Sequence, residues 1–314
     1  MRGIVSPKLT DFLKQANATL ALARENNIQP SPELARENLN KLGALMTESV
    51  PLAYVRDSGW QLEDREIPAR IYSPSPDQAL PVILHFHGGG HMCGSIALYD
   101  PICRHLAAKA NCVVISVDYR LAPEYPYPAG VDDCEYALSH YSELLTEVKH
   151  TDSVTIIGDS AGGAICSSLS MRSLSKPELK IERQILIYPS VDYTMSSASI
   201  ESNGTGFLLE ATRVRWYFEH YFHDKIRDET YIRQASPLFG PISDKLPKTL
   251  IFTAGCDPLR DEGIAYGKAL SQAGVAVEHH QFDGMIHAYM LLHDLVTEEC
   301  QTTYQQIARF MANR

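Results

Sequence analysis

The chain has 314 residues, 45% hydrophobic and 21% charged, with a formal net charge of -10. This is an ordinary globular composition, large enough for one sizeable α/β domain or two smaller ones. The acidic balance and the lack of a dense Lys or Arg run argue against a nucleic-acid partner, and no stretch approaches the length of a membrane span.

The first fifty residues read as helical. Ser6-Pro7 and Ser31-Pro32 each place an N-cap residue before a proline suited to the first helical position. Leu9, Phe12, Leu13, Ala16 and Leu20 follow at helical spacing, and Leu39, Leu42, Leu45 and Met46 mark a second helix. Each apolar stripe requires a partner surface, either the main domain or a site that the helices cover. Residues 1–8 lack the apolar core of a signal peptide, which predicts a cytoplasmic protein.

Strands begin near residue 52. Runs at 53–56 and 67–72, separated by a turn at Asp57-Ser58-Gly59, predict an antiparallel start to a sheet. Apolar β runs then alternate with helical segments. Strands are expected at 81–86, 113–117, 154–157, 184–188, 249–253 and 277–282, and helices at 99–110, 131–145, 161–174, 262–272 and 297–312. Such alternation implies a mostly parallel central sheet flanked by helices. Residues 191–240 interrupt it with an aromatic-rich helix carrying Arg213, Trp216, Tyr217, His220 and Tyr221. An insertion near the carboxyl ends of core strands is either a lid over a site or a surface helix.

The seven cysteines, Cys93, Cys103, Cys112, Cys134, Cys166, Cys256 and Cys300, are odd in number, scattered and without a C-x-x-C, so they form no disulfide framework. His279 and His280 point to opposite faces of their strand and make a poor metal pair. No other cluster has metal-ligand spacing.

The chemistry centres on Gly158-Asp159-Ser160-Ala161-Gly162-Gly163, which follows the β-branched run 154–157. G-x-S-x-G at a strand-to-helix junction is the nucleophile elbow, in which a strained turn exposes the serine oxygen and aims the next backbone N–H at the developing anion. Alone, the pattern is weak. A serine nucleophile needs a base, and the base needs an orienting acid. Asp257 and His287 follow Ser160 in hydrolase order, each just past the carboxyl end of an expected strand. Asp257 also suits a helix N-cap. Asp261 and Asp283 are rival acids, the first inside a helix and the second too near His287. Upstream, His87-Gly88-Gly89-Gly90 follows the strand at 81–86 and has the form of a loop whose N–H groups hold an oxyanion. No G-x-G-x-x-G or P-loop lysine supports a phosphate loop instead.

With Tyr119-Arg120-Leu121-Ala122-Pro123-Glu124 and Asp257-Pro258-Leu259-Arg260-Asp261-Glu262-Gly263, these motifs resemble, in order, the bacterial hormone-sensitive-lipase-like esterases, which are α/β-hydrolases. The resemblance runs from about residue 81 to 290. It implies hydrolysis of small carboxylic esters of short to medium acyl chain, without cofactor or metal. It implies Ser160 as nucleophile, His287 as base and Asp257 as orienting acid, with oxyanion donors at Gly88, Gly89 and Ala161. A helical cap formed by residues 1–50 and the insertion at about 191–240 would cover a catalytic domain at 51–314. Arg120 and Glu124 would support the fold. One departure is His91, where the family usually has an aromatic residue; His91 and Tyr188 are candidate pocket residues. Amide or arylformamide hydrolysis on the same triad, and a non-catalytic ligand-binding role, stay open as alternatives. So does a symmetric homodimer.

Overall fold

The computed structural model describes residues 1–313. Helices α1 (Thr10–Glu25) and α2 (Pro32–Lys41) open the chain. Ser31 caps α2 as expected, its Oγ accepting from the Leu34 N–H at 3.2 Å. The hairpin β1 (Tyr54–Gln61) and β2 (Glu66–Ser73) follows. Then come β3 (Leu80–Phe86), α3 (Ile96–Ala110), β4 (Val113–Val117), α4 (Ala129–His140), β5 (His150–Asp159), α5 (Ala161–Ser173) and β6 (Arg183–Ile187). The insertion carries α6 (Ala198–Ser202), α7 (Ala211–Phe222) and α8 (Glu229–Ala235). The chain closes with β7 (Lys248–Cys256), α9 (Arg260–Gln272), β8 (Val277–Ile286) and α10 (Thr297–Ala312).

The strands form one eight-stranded sheet in the order β1-β2-β4-β3-β5-β6-β7-β8. Pairings β1–β2 and β2–β4 are antiparallel and the rest are parallel. Successive residues of the central strands enter opposite cores. Ile83, Val114 and Ile157 pack toward α3 and α10, while Val82, Leu84 and Ile156 pack toward α4, α5 and α9. Burial on both faces explains why these strands read as continuous apolar runs rather than alternating ones.

Two expectations are corrected. Asp57-Ser58-Gly59 is not a turn but the middle of β1, and the hairpin closes at 62–65, where the Leu62 N–H donates to the Arg65 carbonyl at 2.8 Å. The edge ribbon tolerates turn-prone residues because Asp57 faces Arg70 across it, with a guanidinium-to-carboxylate bond of 3.0 Å. Helix α3 starts three residues before the expected 99, since Ser95 caps it by accepting from the Leu98 N–H at 3.2 Å.

Register brings the chemical loops together. Phe86 pairs with Gly158, so His87-Gly88 and Asp159-Ser160 leave the sheet as neighbours. Cys256 pairs with Ile286, so Asp257 and His287 do the same. All four loops emerge at the carboxyl edge of the parallel strands, where such sheets build their sites.

Candidate active site

Ser160 takes a left-handed conformation, φ 52° and ψ -116°, at the sharp turn between β5 and α5. Non-glycine residues rarely hold such geometry unless the surroundings enforce it. Here the Ser160 N–H donates to the Ile187 carbonyl at 2.9 Å, and the Ser160 carbonyl accepts from Ser190 at 3.0 Å. The turn also requires Gly162, because a Cβ there would stand 1.9 Å from the Phe86 carbonyl oxygen.

His287 Nε2 lies 2.8 Å from Ser160 Oγ, and its Nδ1 lies 2.7 Å from Asp257 Oδ2. These distances suit Nδ1–H donating to the acid and Nε2 accepting from the serine hydroxyl. Asp257 is fully buried and does two jobs, since its Oδ1 also accepts from the Leu259 N–H at 2.8 Å. That bond closes a turn ahead of α9, whose N-cap position is Leu259 without a side-chain cap, so Asp257 is the acid and not the helix cap. The rival acids are engaged elsewhere, Asp261 with Arg260 at 2.7 Å and Asp283 with the Gln281 amide at 2.6 Å.

The glycine loop differs from expectation. The Gly88 N–H is already donated to Asp159 Oδ1 at 2.7 Å, so Gly88 has no donor left for an oxyanion. Gly89 and Gly90 line the cavity with Ala161, and among the described residues none of their N–H groups donates to a protein acceptor. Both glycines have positive φ, 117° and 65°, the backbone a side chain would resist. Gly89, Gly90 and Ala161 thus keep uncommitted N–H groups on the wall of the cavity that holds Ser160. Asp159 anchors the loop. Burial raises its carboxyl above the ordinary range, opposed by bonds from the Tyr99 hydroxyl at 3.0 Å and from Gly88.

A cavity of about 410 Å³ opens above Ser160. Phe12, Ala16 and Leu20 of α1 line one side, and Leu39 and Leu42 a second. The apolar stripe that starts at Leu9 is therefore divided, for Leu9 and Leu13 enter the core, Ala16 and Leu20 face the cavity, and Phe12 touches both. Val214, Tyr217 and Phe218 of α7 line the opposite wall.

His91 lines the cavity but is almost fully buried. Its ring stacks on Tyr221 with centroids 3.8 Å apart, and Nε2 lies 3.0 Å from the Tyr193 hydroxyl. Burial, with His87 nearby, pushes its pKa down to about 3, so the imidazole is neutral at working pH. Tyr188 does not line the cavity. It takes φ 37° at the end of β6 and turns into the core, with its ring 4.8 Å from His287 and 5.3 Å from Tyr289. It backs the base instead of meeting a ligand.

The family model of the alpha/beta hydrolase fold matches residues 83–291. The chain is 33% identical over 240 residues to an ethyl acetate hydrolase of Pseudomonas putida, covering 74% of both chains. It is 35% identical to an arylesterase of Saccharolobus solfataricus, covering 81% of this chain and 83% of that one. The solved structure of a Pyrobaculum calidifontis esterase is similar with a TM-score of 0.86 and 31% identity, covering 98% of each chain. This chain belongs to the alpha/beta hydrolase fold family. Within it, the chain is one of the hormone-sensitive-lipase-like esterases, a serine carboxylic ester hydrolase.

Several parts of the esterase's site carried no readable sequence signal. Asn203, in the insertion, donates from Nδ2 to the carbonyls of Gly255 at 3.1 Å and Asp257 at 3.0 Å, and its Oδ1 accepts from the Gly3 N–H at 2.9 Å. The Ser6 N–H donates to the Gly284 carbonyl at 2.9 Å. The first residues thus lie between the acid loop and the base loop. Arg36 of α2 reaches the Met92 carbonyl at 2.9 Å, the Ala122 carbonyl at 3.1 Å and the Glu124 carboxylate at 2.6 Å, tying α2 to the glycine loop. Arg120 pairs with buried Asp133 at 2.8 Å, in keeping with a supporting role. All seven cysteines are buried and free, and among the described residues no helix is long and apolar enough to cross a membrane.

Proposed function

We propose that this esterase hydrolyses small carboxylic esters of short to medium acyl chain through an acyl-enzyme on Ser160. The observation that carries the reading is the continuous chain Asp257–His287–Ser160 at hydrogen-bond distances beneath a largely apolar cavity. His287 Nε2 takes the Ser160 proton as Oγ attacks the ester carbonyl, and Asp257 stabilises the resulting imidazolium. The tetrahedral oxyanion accepts from the N–H groups of Gly89, Gly90 and Ala161, each such donor typically being worth about 2.7–4 kcal/mol. The bond to the alcohol oxygen breaks as His287 returns the proton to it. Water then repeats the sequence on the acyl-enzyme and releases the acid.

Residues 1–50 and the insertion at 191–240 act together as the cap over this site. Supporting contacts are the Arg24–Glu210 ion pair, the Asn17 amide on the Gly206 carbonyl at 3.1 Å, and Arg2 on the Thr205 carbonyl at 2.7 Å. A volume of about 410 Å³ lies near the lower end of the roughly 300–1,000 Å³ usual for small-molecule sites. The test is a series of p-nitrophenyl esters from acetate to laurate. Turnover should peak at short or medium chains and vanish in Ser160→Ala. A maximum at laurate overturns the chain-length reading, and activity retained in Ser160→Ala overturns the nucleophile.

A further inference from the structure

Far from Ser160 in function, three potential metal ligands converge. Glu48 lies in the linker between α2 and β1, His105 on α3, and His293 shortly beyond the loop of His287. Glu48 Oε2 lies 3.8 Å from His105 Nε2 and 3.7 Å from His293 Nε2. One ligand atom from each residue falls within 4.8 Å of the others.

His105 is the decisive residue. It is 2% exposed, yet among the described residues neither ring nitrogen has a hydrogen-bond partner. A buried imidazole normally satisfies both, because leaving a buried polar group unpaired costs about 1–3 kcal/mol. The neighbouring His293 is also buried, with ring centroids 5.2 Å apart. Two imidazoles bound at about 2.0–2.1 Å to one tetrahedral ion have their centroids about 5 Å apart, with ligand atoms about 3.4 Å apart. The two carboxylate-to-imidazole distances, 3.8 and 3.7 Å, lie close to that ligand spacing.

We propose that Glu48, His105 and His293 hold a single zinc ion that clamps the linker to the catalytic domain. Two imidazoles and one carboxylate suit a borderline divalent metal rather than magnesium or calcium, which prefer all-oxygen sets. The surroundings are organised for this. The Asp294 carboxylate lies 3.6 Å from His293 Nδ1 and accepts from the Thr47 hydroxyl at 2.8 Å, while the Asp294 N–H donates to the Leu45 carbonyl at 2.9 Å. At 3.6 Å the carboxylate lies beyond hydrogen-bond reach of the ring and adds negative charge beside the site. The Gln301 amide, 3.5 Å from His293 Nε2, offers its oxygen as a fourth ligand when turned over. The three ligands are scattered along the chain, so no spacing motif announces them.

The test uses tag-free, chelator-treated full-length protein, titrated with zinc chloride at pH 7.5 and followed by calorimetry and thermal melts. Wild type should bind one equivalent and gain several degrees in Tm. Glu48→Gln, on a half-exposed side chain, and His105→Asn should each weaken binding at least tenfold. Magnesium at the same concentration should leave Tm unchanged. No zinc binding by wild type, equal binding by both variants, or an equal Tm gain with magnesium overturns the proposal. Zinc uptake that inhibits ester turnover and survives Glu48→Gln belongs to His287 and overturns it as well.

Discussion

The backbone N–H of Gly88 points at the carboxylate of Asp159, 2.7 Å away, and not at the space above Ser160. The residue between the elbow glycine and the nucleophile therefore holds the oxyanion loop in shape, with Tyr99 as a second donor. Asp159→Ala leaves the Gly88 and Tyr99 donors without an acceptor in a buried site, each at a cost of about 1–3 kcal/mol. The variant should melt several degrees lower and lose at least tenfold in kcat, with Asp159→Asn affected less. Unchanged kcat in Asp159→Ala would remove the anchor role.

Asp257→Asn should lower kcat by about four orders of magnitude, because the amide no longer holds the productive His287 tautomer. Asp261→Asn, whose carboxylate sits on Arg260, should stay within a few-fold of wild type. Steady-state kinetics on p-nitrophenyl butyrate compares the two, and a larger loss in the second would transfer the acid role.

His91→Phe should leave the pH profile of kcat/KM unchanged above pH 5, since the native imidazole is already neutral there. It should still lower Tm, because the Tyr193 hydroxyl loses its partner. A displaced limb in the pH profile would mean that His91 titrates during turnover.

His85 and His91 both have pKa values pushed down by burial to about 3, from an ordinary 6.5. Between those values the unfolded chain binds more protons than the folded one, so stability present above about pH 6.5 is lost as pH falls. Each group contributes a slope of up to about 1.4 kcal/mol per pH unit in that window. Urea midpoints should therefore decline from pH 7 to pH 4, less steeply in His91→Phe than in wild type.

Arg36→Ala cuts three tethers between α2 and the loops beside the cavity. KM should rise for the longer esters, whose chains depend on the α1 and α2 wall, with kcat on acetate esters changed little. Equal KM values across the series would separate α2 from substrate recognition.

The central sheet was legible because strands buried on both faces are long β-branched apolar runs punctuated by glycine loops. The order Ser160, Asp257, His287 was legible for a related reason, as each residue follows such a run. The β1 hairpin was misplaced because Asp57, Ser58 and Gly59 carry turn chemistry that a cross-strand ion pair overrides. Gly88 was assigned as a donor because adjacent glycines look alike until a buried carboxylate selects one of them. Tyr188 misled because the end of a strand does not tell which way the next side chain turns. Asn203 and Arg36 were invisible, since each works through backbone carbonyls far away in the chain.

The Gly3–Asn203 bond joins residues 200 positions apart, and the Ser6–Gly284 bond spans still more of the chain. These contacts have a bearing on the order of assembly. Gly3 and Ser6 find these docking places only once Asn203 and Gly284 are in position. The strand pairs of the sheet join residues nearer in sequence, and such contacts form sooner than distant ones. The acid and base loops thus draw part of their backing from contacts between residues at least 200 positions apart, the class of contact that closes late in folding.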